Sequence, residues 1–216
     1  YLTARYAELV GKRPEDTKII TCHMGNGSSL AAIKGGKVID TSMGFTPLAG
    51  VIMGSRTGSM DPSVIPFIME KESLTPDDVN NLINKESGVL AVSGVSSDFR
   101  DIELEADKGN ARCQLALEMF EYQVAQYIAS FAAAMGGVDC IVFTAGIGEN
   151  NTLLREHVID QLSFLGAKID REKNKIRGQQ VDVTGEGSKI KVFAIPTNEE
   201  YMIALDTERI ASELVK

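Results

Sequence analysis

The stretch Thr17-Lys18-Ile19-Ile20-Thr21-Cys22-His23-Met24-Gly25-Asn26-Gly27-Ser28-Ser29-Leu30-Ala31-Ala32-Ile33-Lys34-Gly35-Gly36-Lys37-Val38-Ile39-Asp40-Thr41 decides the fold class. Its first eight residues are rich in β-branched side chains and read as a strand. Gly25-Asn26-Gly27 is a tight turn, because glycine and asparagine tolerate positive φ. Ser28–Lys34 alternates back, Gly35-Gly36 turns again, and Lys37–Thr41 returns. Three short strands joined by two glycine turns make an antiparallel meander.

Outward from the meander, the pattern changes. Residues 2–11 before it read as a helix ending at Gly11. After it, Ser42–Pro62 has no clean period and carries Gly44, Gly50, Gly54 and Gly58. A loop of that length is either functional or disordered, and its apolar content argues against disorder. Ser63–Lys71 and Pro76–Lys85 read as helices, with Thr75 capping the second and Asp78 three residues beyond the cap. Val89–Val95 is a short apolar run. Asn110–Met135 is a long helix whose Leu117, Phe120, Val124, Ile128, Phe131 and Met135 fall on one face. Cys140–Thr144 is a continuously apolar strand of the kind covered on both faces. Ala145–Asn150 is the turn after it, Asn151–Leu162 a helix, Lys189–Ile195 a strand and Glu199–Val215 the last helix. The expected fold is therefore α/β: one domain whose mixed sheet begins with the meander, continues as β-α-β-α, and carries helices on both faces.

The 216 residues include 44% hydrophobic and 24% charged positions, as ordinary soluble proteins do, and a formal net charge of −8. An acidic chain is a poor partner for nucleic acid or an anionic membrane, so neither is expected. Cys22, Cys113 and Cys140 are odd in number, far apart and without CxxC spacing; they read as reduced core thiols of a cytoplasmic protein. The longest uncharged stretch, Tyr122–Val138, falls short of the roughly 20 apolar residues of a membrane span. The chain opens at Tyr1 without Met, so a piece of a longer protein is expected.

Five segments could carry chemistry, and each has a plainer reading. His23–Ser29 can form a backbone nest for an anion, with Asn26 and Ser28 as donors, or be an ordinary hairpin. Arg56, in Gly54–Pro62, can neutralise a carboxylate or a transferring phosphoryl group, or simply pair with Asp61. In Ser96–Asp101, Asp98 can accept from an adenine amino group or ribose, and Phe99 or Arg100 can pack on a base. Alternatively, Ser97 or Asp98 caps a helix and Phe99 is core. Gly146-Ile147-Gly148-Glu149-Asn150 can admit a nucleotide close to the backbone or be a packing turn; it fails the dinucleotide fingerprint at Asn151. In Pro196–Glu200, Glu199 can hold Mg²⁺ through waters, or the glutamates favour a helix dipole. No P-loop sequence occurs anywhere. His157 receives no role, Asp101–Asp107 reads as a solvated face, and Arg171–Arg177 as a short basic surface stretch.

Taken together and in this order, Ile19–Ser29, Asp40–Leu48, Met53–Arg56, Asp61-Pro62, Ser97–Asp101, Phe143–Asn150 and Pro196–Glu200 resemble the acetate kinase family over essentially the whole chain. Departures are mild: Met24 stands where leucine is usual, and Ser55 and Thr57 vary the arginine loop. The resemblance implies a ribonuclease-H-like, actin-like ATPase domain. It implies the C-terminal of two domains, with residues 1–11 as a linking helix and the N-terminal domain absent. It implies reversible transfer from ATP to acetate, giving ADP and acetyl phosphate, with Mg²⁺ or Mn²⁺. By the same resemblance His23, Met24, Gly25, Asn26 and Gly27 form a phosphate loop. Asp98, Phe99 and Arg100 line the adenosine pocket with Gly146, Ile147, Gly148, Glu149 and Asn150. Arg56 stabilises the transition state and Glu199 positions the metal. The family pairs subunits through this domain, so a homodimer is expected, with the apolar face of the long helix serving interface and core alike. A propionate kinase shares these motifs. A non-catalytic nucleotide-binding or dimerisation module is the other class the chain could represent in isolation.

Overall fold

A computed structural model describes residues 1–214. Helix α1 (Leu2–Leu9) leads into strands β1 (Lys18–Met24), β2 (Ser28–Lys34) and β3 (Lys37–Thr41), which pair antiparallel in sequence order. Helices α2 (Val64–Glu72), α3 (Pro76–Lys85), α4 (Gly88–Ser93), α5 (Phe99–Asp107) and α6 (Ala111–Met135) follow. Strand β4 (Cys140–Thr144) then enters parallel to β1, with Cys22 opposite Phe143 and His23 opposite Thr144. After α7 (Ala145–Asn150) and α8 (Thr152–Gln161), a two-residue strand β5 (Val181–Asp182) precedes β6 (Lys191–Ala194), and α9 (Glu199–Leu214) comes last.

The strand order is β3-β2-β1-β4-β6-β5. Only β2 and β5 run against the others. A meander followed by parallel crossover strands is the ribonuclease-H-like arrangement the sequence led us to expect. Alternation along the strands sends side chains to two cores. Ile20, Cys22, Met24, Leu30, Ala32, Ile141 and Phe143 face the helices α4, α5, α6 and α8. Ile19, Ile33, Cys140, Val142 and Phe193 face α1, whose Tyr6 meets Phe193 edge-on at 5.5 Å. Helices therefore do cover both faces.

The long helix buries Phe120, Val124, Ile128, Phe131 and Met135 against the sheet, with Leu117 partly buried beside them. Phe120, Val124, Ile128, Phe131 and Met135 on that face serve the core of this chain. The Thr75–Asp78 capping box is present in full. The middle of the Ser42–Pro62 loop is packed into the chain: Val51, Ile52, Met53, Gly54 and Gly58 are buried. The backbone N–H of Ile52 donates to Gln123 at 2.6 Å.

Several boundaries differ from the sequence reading. The run at Val89–Val95 is the short helix α4, and Ala145–Asn150 is a helical turn rather than an open loop. Strand β5 is too short to leave a period. Val215, the expected end of the last helix, lies outside the described residues. Asp101–Asp107 is not merely a solvated face, because Ile102 and Ala106 of α5 are core.

Candidate active site

A cleft of about 770 Å³ opens where β1, β4 and the N-terminus of α5 end. The meander turn brings Gly25 and Asn26 to one wall, α5 brings Asp98, Phe99 and Arg100, and α7 brings Gly146, Ile147 and Asn150. Parallel pairing of β1 with β4 puts the Gly25–Gly27 turn and α7 side by side, since both strands end at the same edge. This is where ligands enter such sheets. The turn is tight: Gly25 N–H donates to the Gly27 carbonyl at 3.1 Å, and Ser28 Oγ to the Gly25 carbonyl at 3.0 Å.

Arg56 sits over this turn. A Cβ placed on Gly27 would come within 3.2 Å of Arg56 Nη1. Asp61 does not pair with it; that carboxylate accepts from Ser63 N–H at 2.8 Å. The guanidinium donates instead to the Pro47 carbonyl at 3.1 Å and lies 3.7 Å from Met53 Sδ. It has no carboxylate partner among the described residues, which leaves its charge available to an anion.

The plainer reading of the Asp98 segment holds, with Asp98 and Arg100 also lining the cleft. Asp98 caps α5 by accepting from Arg100 N–H at 2.9 Å, and its carboxylate takes Arg100 Nη2 at 2.6 Å. The Arg100 side chain, and then its backbone N–H, hold that carboxyl below the usual range. Both groups are exposed enough that the pair adds little to stability. The Phe99 ring is core, packed on Phe120 with centroids 4.8 Å apart, so Phe99 borders the cleft without offering an open stacking face.

Other expected positions stand back from the cleft. The Met24 side chain is fully buried, against Gly148. Glu149 accepts from Thr197 N–H at 3.1 Å, tying the α7 turn to the entry of α9. His23 points to the same sheet face as Ile19 and Thr21. Beside it in register, the buried Thr144 hydroxyl has no hydrogen-bond partner. The next residue, Ala145, takes φ +63°, a left-handed conformation unusual for a non-glycine residue. Glu199 is exposed, and its carboxylate makes no hydrogen bond or ion pair among the described residues. No group of three His, Cys, Asp or Glu side chains converges among those residues, so a caged metal has no home here. A cation carried on nucleotide phosphates, held by one carboxylate and waters, requires no such group.

Residues 1–205 match the model of the acetokinase family. The chain belongs to the acetokinase family. It is 58% identical over 215 residues to an acetate kinase of Thermoanaerobacterium thermosaccharolyticum, covering 99% of this chain and 54% of that one. An acetate kinase of Methanosarcina barkeri is 57% identical over 216 residues, covering 100% and 53%. Among solved structures, the Porphyromonas gingivalis acetate kinase superposes with a TM-score of 0.94 at 48% identity, over 98% of this chain and 53% of that one. A propionate kinase from Francisella tularensis gives 0.88 at 37% identity, over 94% and 52%. The chain spans about half the length of the curated relatives it matches.

Sequence reasoning missed part of this acetokinase cleft. Glu103, Asn151, Thr152, Leu153 and Arg177 also line it. Glu103 is half-buried; burial raises its carboxyl, the charge of Arg177 opposes that rise, and Asn151 Nδ2 donates to it. Glu103 lies four residues after Phe99, so helical spacing alone would have placed it on the same face. Arg177 carried no such signal, because a buried arginine holds its loop. Arg155 is wholly buried in α8 and donates to the Gly148 carbonyl at 2.8 Å and the Asn174 carbonyl at 2.9 Å. It also donates to Asn174 Oδ1 at 2.6 Å and the Ile176 carbonyl at 3.2 Å. These bonds join α7 to the segment that ends in Arg177.

Proposed function

We propose that this chain is the C-terminal, nucleotide-binding domain, residues 1–216, of an enzyme that transfers phosphoryl reversibly from ATP to acetate, giving ADP and acetyl phosphate. The observation that carries this reading is the convergence of Gly25–Asn26, Asp98–Arg100 and Gly146–Asn150 on one cleft, with an unpaired Arg56 beside it. The adenosine would lie between α5 and α7, and the phosphates would run toward the Gly25–Gly27 turn. Its small residues let backbone N–H groups approach the oxygens, and Asn26 adds a side-chain donor. Arg56 would neutralise charge developing on the transferring group, which is the main task in a reaction with a loose transition state.

Mg²⁺ or Mn²⁺ bound to the phosphates would supply further charge neutralisation, with Glu199 as the residue that holds it through water. A second domain is part of the proposal, because acceptor binding and water exclusion require the cleft to be closed from the other side. Exposure along nearly the whole of α9, including Tyr201, Ile203 and Ile210, supports a further partner surface on this chain. The reading also places the protein in the cytoplasm as a homodimer. Its three cysteines are free and buried, and no helix among the described residues is long and apolar enough to cross a membrane.

Rates with acetate, propionate and butyrate on the full-length protein test the acceptor. One methylene is worth about 1–3 kcal/mol in a hydrophobic pocket. Acetate should therefore lead by about tenfold or more in kcat/KM. A lead for propionate would move the protein to the propionate kinase reading. Calorimetric titration with ADP tests the site. Binding that survives Asp98→Ala and Gly146→Val together would separate the nucleotide from this cleft.

A further inference from the structure

Gly88, the first residue of α4, lies in none of the segments read above as carrying chemistry. Its backbone is left-handed at φ +67°. A Cβ there would fall 2.3 Å from the Met53 carbonyl oxygen and 2.9 Å from both the nitrogen and the oxygen of Arg56. No side chain fits in that space, because the obstacles are backbone atoms.

Around Gly88, the start of α4 takes three successive carbonyls of the arginine loop. Val89 N–H donates to Met53 at 2.9 Å, Leu90 N–H to Gly54 at 3.0 Å, and Ser87 N–H to Ser55 at 3.0 Å. The end of α3 adds two more ties: Ser55 Oγ donates to the Asn84 carbonyl at 3.0 Å, and Thr57 N–H to the Ile83 carbonyl at 3.0 Å. Packing cannot do this work. The buried residues of the loop stop at Gly54 and resume at Gly58, so Ser55, Arg56 and Thr57 have no apolar anchor of their own.

We propose that the α3–α4 junction is a backbone strap that sets the position of Arg56 over the phosphate turn, with Gly88 as the positioning residue that lets the strap close. The inference rests on the reading of Arg56 as the group that meets the transferring phosphoryl. A misplacement of about 1 Å costs roughly 10²-fold in a positioned reaction. The effect falls on the transition state, so nucleotide binding is spared.

The test is Gly88→Ala in the full-length enzyme, with Gly136→Ala as control. Gly136 has the same φ of +67°, but a Cβ there meets nothing within 4 Å, so this variant carries the backbone strain without the collision. G88A should lower kcat about 10²-fold and weaken an ADP–aluminium fluoride–acetate complex in proportion. Its KM for ATP and affinity for ADP should stay within about threefold of wild type, and G136A should keep wild-type kcat. A G88A enzyme with near-normal kcat overturns the proposal, and so does one that loses ADP affinity along with kcat. If G88A does not yield soluble protein, Ser55→Ala decides. It cuts one tie of the strap and should lower kcat about tenfold with ADP affinity unchanged; normal kcat overturns the strap. Arg56→Ala run alongside separates the two readings. Full activity there refutes the role of Arg56, and the strap with it. Loss of activity in R56A beside normal activity in G88A refutes the strap alone.

Discussion

Replacing Arg155 with methionine keeps most of the side-chain volume and removes the guanidinium from a site with no exposure to solvent. Four hydrogen bonds are lost, to the carbonyls of Gly148, Asn174 and Ile176 and to Asn174 Oδ1. Bonds from a charged donor contribute about 1.5 kcal/mol each or slightly more, about 6 kcal/mol together. Against this, the charge is no longer desolvated. Burial pulls the guanidinium down to about 10, which corresponds to a relief of about 3 kcal/mol. Arg155→Met should therefore destabilise by about 3 kcal/mol, a fall of about 6–12 °C in Tm for a chain of this size. Arg155→Lys should be worse than Arg155→Met. An ammonium keeps the buried charge yet cannot span four acceptors arranged for a planar fork. Urea unfolding of both variants is the assay, with ADP titration beside it, since Gly148 and Arg177 are positioned through this clamp. A methionine variant of wild-type stability, or a lysine variant that restores it, would refute the reasoning.

Arg56→Ala in the full-length enzyme should lower kcat by about 10³-fold with little change in ATP affinity, the scale of arginine donors in phosphoryl transfer; steady-state kinetics check both halves. Burial raises the Glu121 carboxyl, and its bond to His157 at 3.0 Å opposes that rise. An acid whose folded pKa lies above its unfolded one loses stability as pH rises through that interval. The Tm of Glu121→Gln relative to wild type should accordingly climb as pH rises through and above the ordinary carboxylate range, and a flat or falling difference in a melting series contradicts this. Light scattering of the full-length protein should return a dimer. A clean monomer at micromolar concentration counts against pairing through this domain.

The meander was legible because Gly25–Gly27 and Gly35-Gly36 break a β-branched pattern at hairpin spacing, and the long helix because its apolar residues recur every three or four positions. The Thr75 cap was legible because its chemistry is local. What escaped the sequence was set by contacts between distant segments. Ala145–Asn150 coils into a helical turn because Gly148 packs on Phe143 and Met24, with contacts near 3.4 Å for a built Cβ. Strand β5 exists only because Val181 and Asp182 meet the edge of β6. Arg171–Arg177 looked like a solvated basic run, yet Asn174 within it is fully buried as the partner of Arg155. The loop around Arg56 read only as glycine-studded and without a period, whereas the carbonyls that fix it answer to N–H groups more than thirty residues away.

The most direct test of the proposed activity is the formation of acetyl phosphate, trapped as the hydroxamate, by the full-length protein and by the 216-residue chain alone, each given ATP, Mg²⁺ and acetate. The account predicts turnover by the full-length protein and none measurable from the chain alone, because under the two-domain proposal the second domain holds the acceptor in line, and without it the acceptor's effective concentration falls toward the bulk value. No hydroxamate from the full-length protein would contradict the assigned reaction. Turnover by the chain within about tenfold of full length would show that this domain contains the whole active site.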